Sequence, residues 1–179
     1  GIRLASGDEV VSMAVIRHVE ASPDERAAYF RMRRAITGDE AGETEEAESD
    51  IALSPERYAM LSASEQWILT ITSGGYGKRS SAHEYRVAGR GGLGITAANL
   101  GRRGDSIVAS FTVEDDDQIM LATSTGQSIR CPVAGISRQG RTSSGVRVFN
   151  TAEGEQVVSV AWIAERDEDG DGDGIENEA

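Results

Sequence analysis

Trp67-Ile68-Leu69-Thr70-Ile71-Thr72-Ser73-Gly74-Gly75 can be laid over Gln118-Ile119-Met120-Leu121-Ala122-Thr123-Ser124-Thr125-Gly126, 51 residues further on. The offset carries Arg79 onto Arg130, Gly89-Arg90 onto Gly140-Arg141 and Gly94-Ile95 onto Gly145-Val146. It then slips by one residue, so that Gly104-Asp105-Ser106-Ile107-Val108 lies over Gly154-Glu155-Gln156-Val157-Val158. The start of the chain repeats the second half of the same unit. Gly1-Ile2-Arg3-Leu4 matches Gly145-Val146-Arg147-Val148, and Gly7-Asp8-Glu9-Val10-Val11 matches the Gly154 group.

Each unit holds four short apolar or alternating runs separated by glycine. In the second unit they are Ile119–Thr123, Ser128–Val133, Gly145–Phe149 and Gln156–Ile163. Their length and β-branched content suit strands, and Thr72-Ser73-Gly74-Gly75 and Ser124-Thr125-Gly126-Gln127 read as hairpin turns. Four strands at a period near 50 residues predict an all-β chain of propeller blades. Residues 1–16 are expected to end an incomplete blade, 67–113 to form a blade and 114–163 the last blade. Closure needs roughly 4–8 blades, so further blades are expected upstream.

Residues 17–66 interrupt the array. Ser22-Pro23-Asp24-Glu25 is a helix start, Arg26 to Ile36 continue it, and Pro55 to Leu61 suit a second short helix. Gly38 to Asp50 is acidic without apolar period and is expected to be mobile, as is the acidic tail 164–179.

The single cysteine, Cys131, permits no internal disulfide, which fits a reducing cytoplasm. No apolar run approaches the roughly 18 residues of a spanning helix, and Gly1-Ile2-Arg3-Leu4 does not open a secretory leader. The net charge of −12 would argue against a polyanionic partner, but it is segregated. Residues 67–113 carry six basic and two acidic groups, and 118–163 carry four and two. The excess of acid lies in 17–66, in Glu114-Asp115-Asp116-Asp117 and in the tail. A partner responds to the local field, and two basic blocks spaced by the repeat suit the phosphates of a duplex that curves past successive blades. Glycines beside them let backbone approach phosphate.

Tyr76-Gly77-Lys78-Arg79, Glu84-Tyr85-Arg86 and Gly89-Arg90-Gly91-Gly92-Leu93-Gly94 resemble the C-terminal domain of the DNA gyrase A family. Asp117-Gln118-Ile119-Met120 and Gly140-Arg141-Thr142-Ser143-Ser144-Gly145-Val146 resemble that family's last blade. The resemblance covers about 1–16 and 67–163 and implies a β-propeller or β-pinwheel wheel that bends double-stranded DNA around its rim. It also implies a cytoplasmic, chromosome-associated, ATP-dependent type II topoisomerase, built from two copies each of its A and B chains, that introduces negative supercoils. ATP and Mg would be used by other domains, the DNA-cleaving tyrosine would lie upstream, and this stretch itself would hold no cofactor, metal or catalytic residue. The corresponding domain of topoisomerase IV and a protein-binding scaffold propeller are the alternatives. The expected DNA contacts are Lys78, Arg79, Arg86, Arg90, Arg102, Arg103, Arg130, Arg138, Arg141 and Arg147. The family's basic glycine box has a preceding Gln that Val87-Ala88-Gly89-Arg90 lacks, so the box is expected upstream.

Other motifs are weaker. Gly89-x-Gly91-x-x-Gly94 has dinucleotide-loop spacing, but no strand-loop-helix surrounds it. Arg57-Tyr58 lacks the flanking residues of a DNA-cleaving tyrosine, and Tyr58 is expected to pack in a helix. His18, His83 and Cys131 have no catalytic partner in the sequence. Asp167-Glu168-Asp169-Gly170-Asp171-Gly172 fits a calcium loop formally, but a following helix is missing. An acidic tail competing with phosphate for the basic rim is the better reading.

Overall fold

The computed structural model describes residues 3–38, 51–101 and 105–163. Arg102, Arg103, the acidic stretch 39–50 and the tail 164–179 lie outside the described residues. The described residues form seven strands and two helices in the order α1 (Pro23–Thr37), α2 (Pro55–Ala63), β1 (Trp67–Thr72), β2 (Tyr76–Ser81), β3 (Ile107–Val113), β4 (Gln118–Thr123), β5 (Ser128–Pro132), β6 (Val146–Arg147) and β7 (Val157–Ile163).

The repeat is visible in the hydrogen bonds. β1 pairs antiparallel with β2 and β3, and β4 pairs antiparallel with β5 and β7. The register shifts between Ile71 and Thr72 in one unit and between Ala122 and Thr123 in the other, the same place in the repeat. Each hairpin turn closes the same way: Gly75 N–H donates to Thr72 O and Gly126 N–H to Thr123 O, both at 3.0 Å. Gly75 and Gly126 take φ of 77° and 87°, which side chains rarely adopt. An acid braces each turn, for Asp105 accepts from Thr72 Oγ1 at 3.3 Å and Glu155 accepts from Thr125 Oγ1.

The apolar core lies between the sheets, where Leu69, Ile71 and Val113 meet Ile119, Leu121, Val133, Ile136 and Val157. Burial of each such side chain contributes about 1.5–3 kcal/mol.

One expectation needs correction. The four runs of a unit do not make one blade. The third run of the second unit is only two residues long as a strand, and it pairs with β2 of the first unit. The sheets therefore run β3-β1-β2-β6 and β5-β4-β7. The reason lies in two glycines. A Cβ on Gly145, at φ 78°, would stand 2.7 Å from Gly77 O and 2.9 Å from Gly77 C. Two chains without side chains can cross there, which draws the third run onto the neighbouring sheet. Gly145→Ala is expected to cost about 2–3 kcal/mol through left-handed strain plus this backbone clash, read as a lowered urea midpoint.

The helices form as the sequence predicts. Ser22 caps α1 in a reciprocal box with Glu25, and Ser54 caps α2. Tyr29 and Leu61 are buried where the insertion meets the blade. Tyr58 packs on Tyr29 with ring centroids 5.2 Å apart, as expected of a helical packing residue. His83, in the short 3-10 turn Ala82–Glu84, joins α2 to the blade through Nε2 and Leu61 O at 3.0 Å. Glu65 accepts from Tyr29 Oη at 2.9 Å and pairs with Arg33 at 2.6 Å.

Candidate nucleic-acid interface

Side chains alternate across a strand, so Lys78 and Arg79 leave β2 on opposite faces. The segment 134–143 of the next unit passes the edge of β2 and receives both. Lys78 Nζ donates to the carbonyls of Gly140 at 3.0 Å and Ser143 at 2.8 Å, and to that of Arg141. Arg79 Nε donates to Ile136 O at 2.7 Å, and its Nη1 pairs with Asp115. Between them the backbones zip together: Arg79 N–H donates to Ser137 O at 3.0 Å, and Gln139 N–H to Arg79 O at 2.8 Å.

These contacts change the expected roles of both residues. Lys78 is 1 % exposed and Arg79 5 % exposed, so neither offers its charge to a phosphate in this structure. Their cations instead satisfy carbonyls and a carboxylate at the junction between units. Burial pulls the Lys78 ammonium from its ordinary 10.5 down to about 8, with Glu84 pulling it back up and Arg141 adding to the fall. Burial pushes the Glu84 carboxyl up, against amide donors from Arg141 and Ser81.

The loop 140–145 is thereby fixed on both sides. Lys78 holds its carbonyls, Glu84 accepts the Arg141 N–H, and Asn99 N–H donates to Ser143 O at 3.2 Å. The Arg141 side chain is half-buried and donates to Thr96 O. Arg147 is exposed, with its guanidinium 5.2 Å from the Tyr76 ring centroid and donating to Tyr76 Oη at 2.7 Å. Stacking and a hydrogen bond orient this side chain without neutralising it.

Arg86 and Arg90 are exposed in the segment that follows the 3-10 turn. Arg138 is exposed but shares Asp115 with Arg79, at 2.6 Å, and stacks 4.4 Å from the Trp67 ring centroid. Burial pushes the Asp115 carboxyl up, but hydrogen bonds from both guanidiniums outweigh it and hold it below the ordinary carboxylate value. Arg130 stands exposed on β5, an outer strand of the second sheet. Its counterpart Arg79 is covered by the next unit, so the shared repeat position does not give a shared environment. Among the described residues nominated as DNA contacts, four on loops or at the β6 edge remain unneutralised by a described carboxylate: Arg86, Arg90, Arg141 and Arg147.

Sequence reasoning alone misses the parts played by Asp115, Asp105 and Glu155. The two turn acids carry a signal, since they recur in register after the glycine of each unit. Among the described residues no group of three His, Cys, Asp or Glu could hold a metal, and no helix is long and apolar enough to cross a membrane.

The family model described as DNA gyrase C-terminal domain, beta-propeller, matches residues 1–17, 66–114 and 117–161. The DNA gyrase A protein of Granulibacter bethesdensis is 45 % identical over 96 % of this chain and 20 % of its own length. The DNA gyrase A protein of Rickettsia bellii is 39 % identical over 97 % of this chain and 19 % of its own length. The chain thus spans about a fifth of the length of these curated relatives. Among solved structures, a DNA gyrase A C-terminal domain superposes with a TM-score of 0.52 at 26 % identity, covering 56 % of this chain and 34 % of that one. The C-terminal domain of a DNA topoisomerase IV gives 0.51 at 24 % identity over 57 % and 31 %, a likeness of fold.

Proposed function

The chain belongs to the DNA gyrase A C-terminal domain family, and from that premise we propose that it binds double-stranded DNA and bends it as part of a gyrase A protein. The whole enzyme would be the ATP-dependent type II topoisomerase that introduces negative supercoils, with the gyrase B protein as partner. This stretch would supply curvature and no bond chemistry. The names of the relatives at 37–45 % identity favour gyrase over topoisomerase IV.

The observation that carries the reading is one arginine-bearing glycine loop per repeat, Gly89–Gly94 and Gly140–Gly145, 51 residues apart. The second loop is fixed in place by Lys78 and Glu84. Fixed backbone costs little further ordering when a phosphate arrives, and one loop per blade gives a duplex contacts at regular steps. The contacts then offset the bending cost of several kcal/mol, without any base being read.

The test is duplex binding by the 179-residue chain and its single Arg→Ala variants at 86, 90, 141 and 147. Each variant is expected to weaken binding about threefold to tenfold, equally on A·T-rich and G·C-rich duplexes. Variants that bind as well as the parent would instead favour a scaffold that recognises protein.

A further inference from the structure

A second cationic feature lies away from the loops, where the helical insertion meets the first blade. The segment 16–21 runs past α1, α2 and the 3-10 turn, anchored where Arg17 N–H donates to Gln66 Oε1 at 2.6 Å. Beneath it is a cavity of about 160 Å³ lined by Arg17, His18, Arg26, Gln66, His83 and Tyr85, with small and apolar neighbours. None of its described lining residues carries a carboxylate.

Among the described residues, no side-chain hydrogen bond or ion pair engages the guanidinium of Arg17 or Arg26. Other arginines of the insertion are engaged. Arg33 pairs with Glu65, and Arg57 pairs with Glu25 at 2.8 Å and donates to Glu20 O at 2.7 Å. The cavity opens into a wider cleft bordered by Glu20 and Glu25, and Glu25 is already engaged by Arg57. Two like charges beside one small cavity repel each other unless solvent or an anion intervenes. His83 Nε2 and Tyr85 Oη are engaged by Leu61 O and Ser80 Oγ, which leaves the charge to Arg17 and Arg26. A water occupies about 30 Å³ of liquid, so the volume accommodates a tetrahedral oxyanion with a few waters.

We propose that this cavity is an anion site that takes a phosphate group, with Arg17 and Arg26 as its charged ligands. The phosphate could belong to a duplex backbone or be free in solution; the chemistry of recognition is the same. The proposal stands on the insertion's own geometry and does not require the loops of the blades to touch DNA.

The experiment is a titration of the 179-residue chain with inorganic phosphate, against chloride at matched ionic strength, followed by backbone amide NMR. Amides of 17–26 and 82–87 are expected to shift saturably with phosphate alone. The Arg17→Gln/Arg26→Gln variant removes both charges but no described side-chain contact, and is expected to raise the phosphate Kd at least tenfold. Unchanged amide positions at 140–145 check that this variant keeps its fold. Shifts equal to those with chloride, or the same Kd in the variant, would overturn the site. A duplex added to the phosphate complex then separates the sources: displacement of phosphate assigns the site to backbone phosphates, and retention assigns it to a free phosphate. Weakened duplex binding in Arg141→Ala reports on the loops independently, so the two readings fail separately.

Discussion

Lys78→Met is expected to lower the stability of the chain by about 3–5 kcal/mol and to open the loop 140–145 to proteolysis. The Met side chain nearly matches Lys in length and fills the same space, so the loss isolates hydrogen bonding and charge from packing. Three carbonyls, of Gly140, Arg141 and Ser143, converge on the ammonium. Gly140 O keeps the Ser143 N–H at 3.1 Å and Ser143 O keeps the Asn99 N–H at 3.2 Å, so each loses one charge-assisted bond, while Arg141 O loses its one described donor. A charge-assisted bond contributes about 1.5–3 kcal/mol and an orphaned carbonyl costs about 1–3 kcal/mol, partly relieved if the loop swings out to water. Either outcome damages the structure: a loop that stays is unsatisfied, and a loop that leaves no longer presents Arg141. Lys78→Arg is not expected to rescue, because a planar fork cannot converge on three carbonyls as an ammonium does.

Alkaline pH should act differently from the substitution. The folded value is depressed to about 8 while the unfolded chain keeps 10.5, so between them the unfolded state binds more protons. This group's contribution to stability therefore rises with pH across that window. The neutral amine retains two donors for the carbonyls, whereas Met retains none. An unfolding free energy from urea titration that falls by less than about 1 kcal/mol in Lys78→Met, with the loop still protected from protease, would show that Lys78 does not hold the junction.

How far the sequence reaches is seen by comparing β2 with β5. The repeat, the hairpin turns, both helices and their serine caps are legible in the chain because they depend on local spacing and turn chemistry. The burial of Lys78 is harder to see, yet a signal exists. At the 51-residue offset Lys78 falls on Ile129, which packs against the core, so the position faces inward. A basic residue inside a run of small residues suggests surface because charge usually lies there. What reverses that expectation is non-local: three carbonyls supplied from about 62–65 residues away along the chain. The pairing of β6 with β2 is hidden for the same reason. Its cause is the close approach of Gly145 to Gly77, and no single stretch of sequence contains both.

The burial of these cations changes what duplex binding should look like. Each neutralised phosphate contributes about −0.9 to the slope of log affinity against log salt. If all ten basic residues that the sequence nominates touched DNA, the slope would be about −9. The four on loops or at the β6 edge that stand clear of described carboxylates, Arg86, Arg90, Arg141 and Arg147, give about −3.6. Between about 50 and 200 mM salt the chain should then lose roughly two powers of ten in affinity, and Arg141→Ala should reduce the slope by about one. Arg138 adds little because it shares one carboxylate with Arg79. A slope near −9 would mean that Lys78 and Arg79 leave the junction to meet DNA, which conflicts with their hydrogen bonds. A slope shallower than about −1 would mean that the loops do not grip phosphate at all. The net charge of −12 acts against binding at every salt concentration, so on the proposed reading the loops hold the duplex by local field alone. A fixed loop such as 140–145 is the arrangement in which a small number of cations can do so, since the backbone that carries them does not have to be ordered at the moment of contact.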